Sequence, residues 1–383
     1  MRRVPISKVK QGMKVAKCIY SANGTILVRP GVGLSGVMVK RLKQLGFPAI
    51  YVDDGLLSDI EIDDVITEQT RVKANTLVHE VMSSRINKLP DNKGEQFKDV
   101  ITKMIQDIMD NPFSMAQLTD INTIDNYTFN HSVNVCILSL LTGKELGLRR
   151  DQLMELGMGA MLHDVGKVVV PIHILNKPGR LTEEEFREVQ KHPSDGCSII
   201  SSLKGIGDGA SQVVLEHHER YDGSGYPRGS SEDKISVYSK IAAVADVFDA
   251  VTSDRVYRKS MQPDKGLGII MNGAGSQFDF KVIQSFYKRV AVYPSGSYIR
   301  LSNGEIAGVV ETPKGLPLNP TVRVLYTAEE GTLRQPFERR LAEELTITVK
   351  ELVPDHEVEK LIATSKSYNN GSGLIKTIND KGN

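Results

Sequence analysis

The spacing of apolar residues changes near Val290, and that change says most about the fold class. From about residue 119 to residue 290 apolar residues recur at helical intervals, whereas after Val290 they alternate with polar ones. Helix start signals support the first pattern, because Thr182 precedes three glutamates, and Ser236 and Asp279 precede apolar runs. The middle of the chain is therefore predicted to be an all-helical bundle, followed by a β-rich appendage.

Residues 1–65 carry the signals of a small mixed α+β module. Two β-prone runs flank Asn23-Gly24, which is typical of a hairpin turn. A helical run from Ser35 to Leu45 follows, and Ala49-Ile50-Tyr51-Val52 has the character of a strand. The acidic stretch at 53–64 is interpreted as a solvated boundary.

These patterns divide the chain into four predicted segments, and the fold class is multidomain and mainly α. We expect an N-terminal α+β module with a candidate regulatory role at 1–65, a helical linker or dimerisation region at 66–118, the helical bundle at 119–290, and the β-rich appendage with a polar tail at 291–383. The tail from Ser365 onward is polar and is predicted to be mobile.

Composition excludes several classes of protein. The chain has 383 residues, of which 40% are hydrophobic and 25% charged, as in soluble globular proteins. Its formal net charge is +1, so no overall field favours a nucleic-acid polymer or acidic lipid, and an anionic ligand must be held by a local cluster. No apolar run approaches the roughly 18 residues that span a bilayer, so we expect a cytoplasmic protein. The three scattered cysteines argue against disulfides and thiolate ligands.

Five of the eight histidines lie between residues 131 and 218, inside the helical segment. His163-Asp164 ends an apolar helix, where an unpaired carboxylate is costly to bury. His217-His218 is a second pair, and neighbouring helix positions point about 100° apart, so adjacent ligands can serve two neighbouring ions. Asp246 lies in another apolar helix and needs a partner as well. These features predict a metal centre of imidazoles and carboxylates.

The ordered set His131, His163-Asp164 and Asp246 resembles that of the HD superfamily of metal-dependent phosphohydrolases. The run His-His-Glu-Arg-Tyr-Asp-Gly-Ser-Gly-Tyr-Pro at 217–227 is more specific and resembles the HD-GYP family, bacterial enzymes that hydrolyse cyclic di-GMP. The resemblance covers about residues 120 to 290, and the N-terminal module looks like the domain of unknown role that often precedes this catalytic unit. Supporting matches lie at 127–135, 163–167, 192–193 and 245–258.

The resemblance implies a binuclear centre of divalent transition metal ions. It assigns one ion to His131, His163, Asp164 and Asp246, and the second to His192, His217 and His218, with Asp164 bridging. Asp249, one turn from Asp246, is the alternative ligand. Such ligands suit Mn, Fe, Co, Ni or Zn, and the family favours iron or manganese. Trinuclear members carry a glutamate where this chain has Tyr127, so we expect two ions and not three.

The resemblance also implies roles around the metals. Two ions that share a water lower its pKa toward about 7 and generate a bridging hydroxide that attacks phosphorus. The expected catalytic residues are Asp164, which would bridge the two ions, and Lys167, which would reach the phosphoryl oxygens. The residues expected to bind substrate are Lys167, Gly225, Tyr226, Pro227, Arg255 and Arg258, with Tyr226 hydrogen-bonding or stacking on guanine.

The leading functional prediction is a cyclic di-GMP phosphodiesterase that opens the ring to linear pGpG, with further hydrolysis to GMP left open. The alternative is a receptor for cyclic di-GMP or for a protein partner with little or no turnover, which the intact ligand set disfavours. A phosphohydrolase of mononucleotides is a third hypothesis, disfavoured by Gly225-Tyr226-Pro227. A homodimer, for which the helices at 66–118 are the candidates, and a signalling-protein partner at the Gly-Tyr-Pro loop are candidate assemblies.

Overall fold

The computed structural model describes residues 1–375 except 22–24, 46, 48, 61–63, 84–91, 112–114, 118–126, 254–260 and 345. The chain divides into two compact units. The first consists of Met1–Ile19, Leu27–Asp63 and Tyr293–Asn383, and the second of Tyr20–Ile26 and Asp64–Val292. The first unit is thus built from both ends of the chain.

The N-terminal part contains short strands and one helix, as the sequence predicts. Its elements are β1 Arg2–Pro5, β2 Lys14–Val15, β3 Ile19–Tyr20, β4 Ile26–Val28, α1 Gly36–Gln44 and β5 Ala49–Asp53. An antiparallel sheet has the order β1-β5-β2, and β3 pairs with β4 on either side of the predicted turn, whose Asn23-Gly24 lies outside the described residues. Ser35 caps α1 by accepting a hydrogen bond from the Met38 N–H.

The second unit is a helical bundle, which confirms the main prediction for the middle of the chain. Its elements are α2 Glu68–Ser83, α3 Lys93–Asp110, β6 Ala116–Gln117, α4 Tyr127–Glu145, α5 Arg150–Leu162, α6 Ile172–Leu175, α7 Glu183–Val189, α8 His192–Ile200, α9 Asp208–Glu216, α10 Val237–Thr252, α11 Pro263–Asn272, α12 Phe280–Tyr287 and β7 Val290–Ala291. Thr182, Ser236 and Asp279 cap α7, α10 and α12, as predicted.

The bundle core lies where α4, α5, α9 and α10 pack together. Leu140, Leu156, Val213 and Ile241 are fully buried there, one from each helix. Helices α2 and α3 pack on α4 and α5 within the same unit. A 3-10 turn at Val165–Val169 packs against α8, and a side chain at Gly166 would overlap the carbonyl of His192. This close approach places the start of α8 beside the end of α5.

The C-terminal part of the first unit is a sheet followed by a helix. Strands β8 Tyr298–Leu301, β9 Ile306–Glu311, β10 Thr321–Thr327, β11 Gly331–Arg340 and β12 Val349–Leu352 form an antiparallel sheet of order β11-β10-β9-β8-β12. The predicted β-rich appendage is confirmed, and the helix after it extends past Ser365, while the mobility predicted for the tail stays a prediction. Helix α13 runs from Asp355 to Ile375 because Val358, Leu361 and Ile362 bury an apolar stripe in the core of this unit.

The acidic stretch after β5 is not a solvated boundary throughout, contrary to the interpretation from sequence. Asp54 is buried, and its Oδ2 accepts a hydrogen bond of 2.7 Å from the Tyr298 hydroxyl. Arg2 Nε lies 3.3 Å from the same oxygen. Nearby, Leu57 and Ile60 pack in one core with Val358 and other residues of the C-terminal part. Residues 53–60 therefore bind the two ends of the chain into one unit.

Candidate metal centre

Seven side chains of the bundle converge on one buried point. They come from α4, the two residues after α5, the start of α8, the two residues after α9, and α10: His131, His163, Asp164, His192, His217, His218 and Asp246. All seven were selected from the sequence. His163 and His192 are completely buried, and His218 is partly exposed. The ligand assignment itself stays a prediction, but the structure brings the whole set together.

Asp164 lies at the centre of this cluster, and its two oxygens face different histidines. Oδ2 lies 3.5 Å from Nε2 of His163 and 3.9 Å from Nε2 of His131. Oδ1 lies 3.4 Å from Nε2 of His192 and 3.9 Å from Nε2 of His217. The carboxylate therefore lies between two groups of possible ligand atoms, His131-His163-Asp164 and Asp164-His192-His217-His218.

Asp246 belongs beside the first group. Its Oδ1 lies 3.1 Å from Nε2 of His131 and 3.9 Å from Nε2 of His163. The side chain is buried in α10, among alanine and valine neighbours that offer no polar contact. Its nearest polar groups are thus the imidazoles selected with it from sequence.

Backbone carbonyls fix the orientation of three imidazoles. Nδ1–H of His163 donates to the Ala160 carbonyl over 2.7 Å, and Nδ1–H of His192 donates to the Val189 carbonyl over 2.7 Å. Nδ1–H of His217 donates to the Val213 and Val214 carbonyls. Because a carbonyl only accepts, the proton is on Nδ1 in each ring, and the Nε2 lone pairs point into the cluster.

Two features of the cluster suit a bound cation. Nε2 of His192 and Nε2 of His217 lie 3.2 Å apart, so two lone pairs face each other when both rings are neutral. Within the described residues, His163 Nε2 and Asp164 Oδ1 are buried without a hydrogen-bond partner. A metal ion bound to these atoms would satisfy all of them, so the residues present fit a metal centre.

The electrostatics of the cluster favour the protonation states that ligands need. Burial alone would raise the pKa of Asp164, but Lys167 and His163 hold it well below its usual value, and His131 does the same for Asp246. Burial lowers the pKa of His217 well below its usual value and that of His218 to about 3. The carboxylates are therefore ionised and these two imidazoles neutral at pH 7.

His131 differs from the other histidines because it lies between two carboxylates. Its Nδ1 is 2.6 Å from Asp249 Oδ2, while its Nε2 faces Asp246. Burial lowers the pKa of His131, but these hydrogen bonds outweigh it and raise the pKa to about 9. A metal ion at Nε2 would take the place of one proton. Asp249, considered from sequence as an alternative ligand, contacts the outer nitrogen of His131 and also accepts from Asn134 Nδ2 over 3.1 Å.

Lys167 lies at the edge of the cluster with its ammonium paired to Asp164. Nζ is 2.6 Å from Asp164 Oδ2, and the side chain is 29% exposed. It therefore reaches both the carboxylate and the open side of the site. Its expected contact with phosphoryl oxygens stays a prediction. Arg255 and Arg258 lie outside the described residues, as does the side chain of Tyr127.

The loop at 219–230 brings Tyr226 over the second group of histidines. The Tyr226 ring stacks on His218 with centroids 4.7 Å apart and an interplanar angle of 29°. Its N–H donates to the His218 carbonyl. Gly225 has to be glycine, because a Cβ there would overlap the His218 carbonyl and the Arg220 N–H. Tyr226 therefore lies beside the second group of histidines, and its expected contact with guanine stays a prediction.

Glu219 anchors the same loop and was not selected from the sequence. It is 3% exposed, and its carboxylate accepts hydrogen bonds from the N–H groups of Arg228 (2.8 Å) and Ser230 (3.0 Å). The sequence does contain a feature that points to this anchoring role, because Glu219 directly follows His217-His218 in a segment rich in turn residues.

A cavity of about 280 Å³ opens beside His217 and His218. Tyr226 and Phe186 form part of its wall, with ring centroids 6.2 Å apart, and Gln190 and Gln277 contribute amides. Aromatic surface with a few hydrogen-bonding groups is the composition expected of a small-molecule site.

Comparison with known proteins identifies the fold of this unit. Residues 100–282 match the family model described as the HD domain. The chain carries an HD domain. Residues 298–361 match a model described as a KOW domain associated with the HD domain. The convergent histidines and aspartates all lie inside the HD domain.

Relatives of this HD-domain chain include two curated proteins. The cyclic di-GMP phosphodiesterase PA4108 of Pseudomonas aeruginosa is 36% identical over 230 residues, 60% of this chain and 55% of that protein. The 3'3'-cGAMP-specific phosphodiesterase 1 of Vibrio cholerae is 36% identical over 206 residues, 52% of this chain and 45% of that protein. The chain thus spans about half the length of these relatives.

Among solved structures, the HDG"Y"P protein Bd1817 of Bdellovibrio bacteriovorus matches with a TM-score of 0.46 and 18% identity, over 74% of this chain and 97% of that chain. Within the described residues, no helix has both the length and the apolar composition needed to cross a membrane.

Proposed function

We propose that this chain is a metal-dependent phosphodiesterase that hydrolyses cyclic di-GMP to linear pGpG, with further hydrolysis to GMP left open. The observation that carries the proposal is Asp164, whose two oxygens face two separate groups of histidine Nε2 atoms. This arrangement suits two divalent ions that share one carboxylate, and we propose iron or manganese, with cobalt, nickel and zinc as substitutes. Such ions, when bound, supply an activated water and neutralise charge on the phosphoryl oxygens.

The side chains around the centre have separable tasks in this proposal. Lys167 exchanges part of its contact with Asp164 for a phosphoryl oxygen, because its Nζ lies at the partly exposed edge. Tyr226 already covers His218 with one face, so a guanine base can use its other face or its hydroxyl. Phe186 and the amides of Gln190 and Gln277 line the adjacent cavity and are proposed to hold the base.

The substrate class rests on the relatives as well as on the cavity. PA4108 is named for cyclic di-GMP, and other relatives share that name. The Vibrio cholerae relative is named for 3'3'-cGAMP at the same 36% identity, so 3'3'-cGAMP is the second candidate substrate. Cyclic di-GMP and 3'3'-cGAMP differ in one purine base, and amide side chains can distinguish the two bases by hydrogen bonding.

A direct assay tests the proposal. The full chain, purified without oxygen and loaded separately with Mn²⁺, Fe²⁺, Ni²⁺ or Zn²⁺, is incubated with cyclic di-GMP, 3'3'-cGAMP and GTP, and the nucleotides are separated by chromatography. We expect pGpG to appear first from cyclic di-GMP. Unchanged dinucleotide with every metal would contradict the enzyme proposal, and tight binding without turnover would favour the receptor alternative. A homodimer formed through the helices at 66–118 and a protein partner at the Gly-Tyr-Pro loop stay predictions.

A further inference from the structure

The N-terminal module has a charge distribution unlike that of the whole chain. Residues 1–52 contain ten Lys or Arg and no Asp or Glu, although the complete chain has a net charge of only +1. The first carboxylate is Asp53. Such a one-sided segment creates a positive local field even in a nearly neutral protein.

Only some of these cations are neutralised inside the first unit. Lys8 and Lys10 are paired with Asp355 and Glu359 of α13, and buried Arg2 lies against Asp54. Lys40 and Arg41 of α1 are exposed and form no salt bridge within the residues that the structure describes. Their charge is therefore available to an outside partner.

Exposed aliphatic side chains accompany these two cations on α1. Helical spacing places Val37, Lys40, Arg41 and Leu45 on one side of the helix, opposite Val39 and Leu42, which are buried. Val37 is 79% exposed and Leu45 is 45% exposed. We call Val37, Lys40, Arg41 and Leu45 the outer face of α1. The preceding connection exposes Arg29 and Val32 as well.

We propose that the outer face of α1 docks on the surface of a membrane that contains anionic lipid. Lys40 and Arg41 match lipid phosphates, and Val37 and Leu45 match the boundary between headgroups and acyl chains. No carboxylate in residues 1–52 opposes this approach. A nucleic acid would use the two cations but not the aliphatic side chains, and the outer face offers no aromatic ring for bases to stack on.

Vesicle sedimentation with the full chain tests this docking. We expect binding to vesicles of equal parts phosphatidylglycerol and phosphatidylcholine, no binding to phosphatidylcholine alone, and weaker binding as ionic strength rises. Each basic residue near an anionic surface contributes roughly fivefold in affinity, so Lys40→Glu with Arg41→Glu should weaken binding by at least about 25-fold. Val37→Ser with Leu45→Ser should weaken it with little change in salt dependence.

The matched control reverses the same number of charges elsewhere. Lys265 and Lys281 are exposed residues of the second unit, and Lys265→Glu with Lys281→Glu produces the same change in net charge. This control should bind vesicles as the unchanged chain does. Absence of binding to anionic vesicles, or an equal loss in the control, would overturn the proposal. So would α1-dependent binding of an oligonucleotide without any vesicle binding. Far-ultraviolet circular dichroism verifies that each variant is folded.

Discussion

Asp249 Oδ2 lies 2.6 Å from Nδ1 of His131, and both side chains are buried in the HD domain. Asn134 Nδ2 donates to the other oxygen of the same carboxylate. The aspartate therefore orients the imidazole from the side away from the metal centre and increases the basicity of Nε2. Its contact is with the proposed ligand His131.

Asp249→Asn should weaken metal binding while the fold persists. The amide keeps the size of the side chain but loses the negative charge, and its NH2 group must face either His131 or the Asn134 donor. Changes at such orienting residues typically cost about 10- to 100-fold in metal affinity. Metal titration monitored by competition with a chelator measures the loss. Asp233→Asn, at a fully exposed aspartate, is the control and should have no effect.

Asp164→Ala should remove both ions and activity together. The carboxylate lies between both histidine groups, so its loss takes a shared ligand from each. Elemental analysis per chain is the measurement, with thermal unfolding to verify that the variant is folded. Asp208→Ala, an exposed residue at the start of α9, should keep the metals. A variant at residue 164 that retains two ions would show that the bridging assignment is wrong.

Glu219→Gln should lower catalytic efficiency without removing metal. The carboxylate accepts from the Arg228 and Ser230 N–H groups, and the variant places an NH2 donor against one of them. Loss of a hydrogen bond to a charged group costs about 1.5 to 3 kcal/mol, which here loosens the loop that carries Tyr226. Steady-state kinetics and metal content are measured together. Glu184→Gln on exposed α7 is the control, and equal kinetic effects in both variants would contradict the anchoring role.

The stability of the second unit should fall in acid through Asp107. Burial raises the pKa of this carboxyl, but hydrogen bonds from the Thr67 N–H and the Thr67 and Thr70 hydroxyls outweigh it and lower the pKa below its usual value. A carboxyl whose pKa is lowered in the folded state stabilises the fold at any pH above its unfolded-state pKa of about 3.9. This stabilisation is lost as the pH falls through the folded-state pKa.

The matched measurement compares Asp107→Asn with Asp110→Asn, an exposed residue on the same helix. Thermal midpoints are measured from pH 7 to pH 3. Asp107→Asn should be less stable than the unchanged chain at pH 7, and the difference should shrink below about pH 4. A difference that stays constant with pH would exclude the ionised carboxylate as its cause.

The sequence predicted what depends on local pattern. Helix caps at Thr182, Ser236 and Asp279 were correct because a cap involves residues within one turn. His163, Asp164 and Asp246 were identifiable because a histidine or aspartate buried in an apolar helix is costly unless it binds a partner. The complete set of seven followed from the family resemblance. Helix α13 was missed although its apolar residues Val358, Leu361 and Ile362 are spaced as in a helix, because the polar composition after Ser365 dominated the interpretation.

Contacts between residues that are far apart in the sequence could not be predicted from it. The orienting role of Asp249 requires knowledge that α4 and α10 pack together, and its hydrogen-bond partner His131 is 118 positions away. The buried pair of Asp54 and Tyr298 is separated by 244 positions. No periodicity in either segment reports such a contact, so Asp54 was interpreted as a solvated carboxylate.

The separation of 244 positions between Asp54 and Tyr298 affects how the chain folds during its synthesis on the ribosome. Asp54 and Leu57 emerge long before Tyr298 and Leu361, which complete their hydrogen bond and their core. At about 5 to 20 residues per second, the first segment waits roughly 10 to 50 s for its partner. During this interval its apolar residues are exposed while the HD domain is being completed. The first unit can finish folding only after translation has passed the HD domain, so nascent chains should depend on chaperones at this stage.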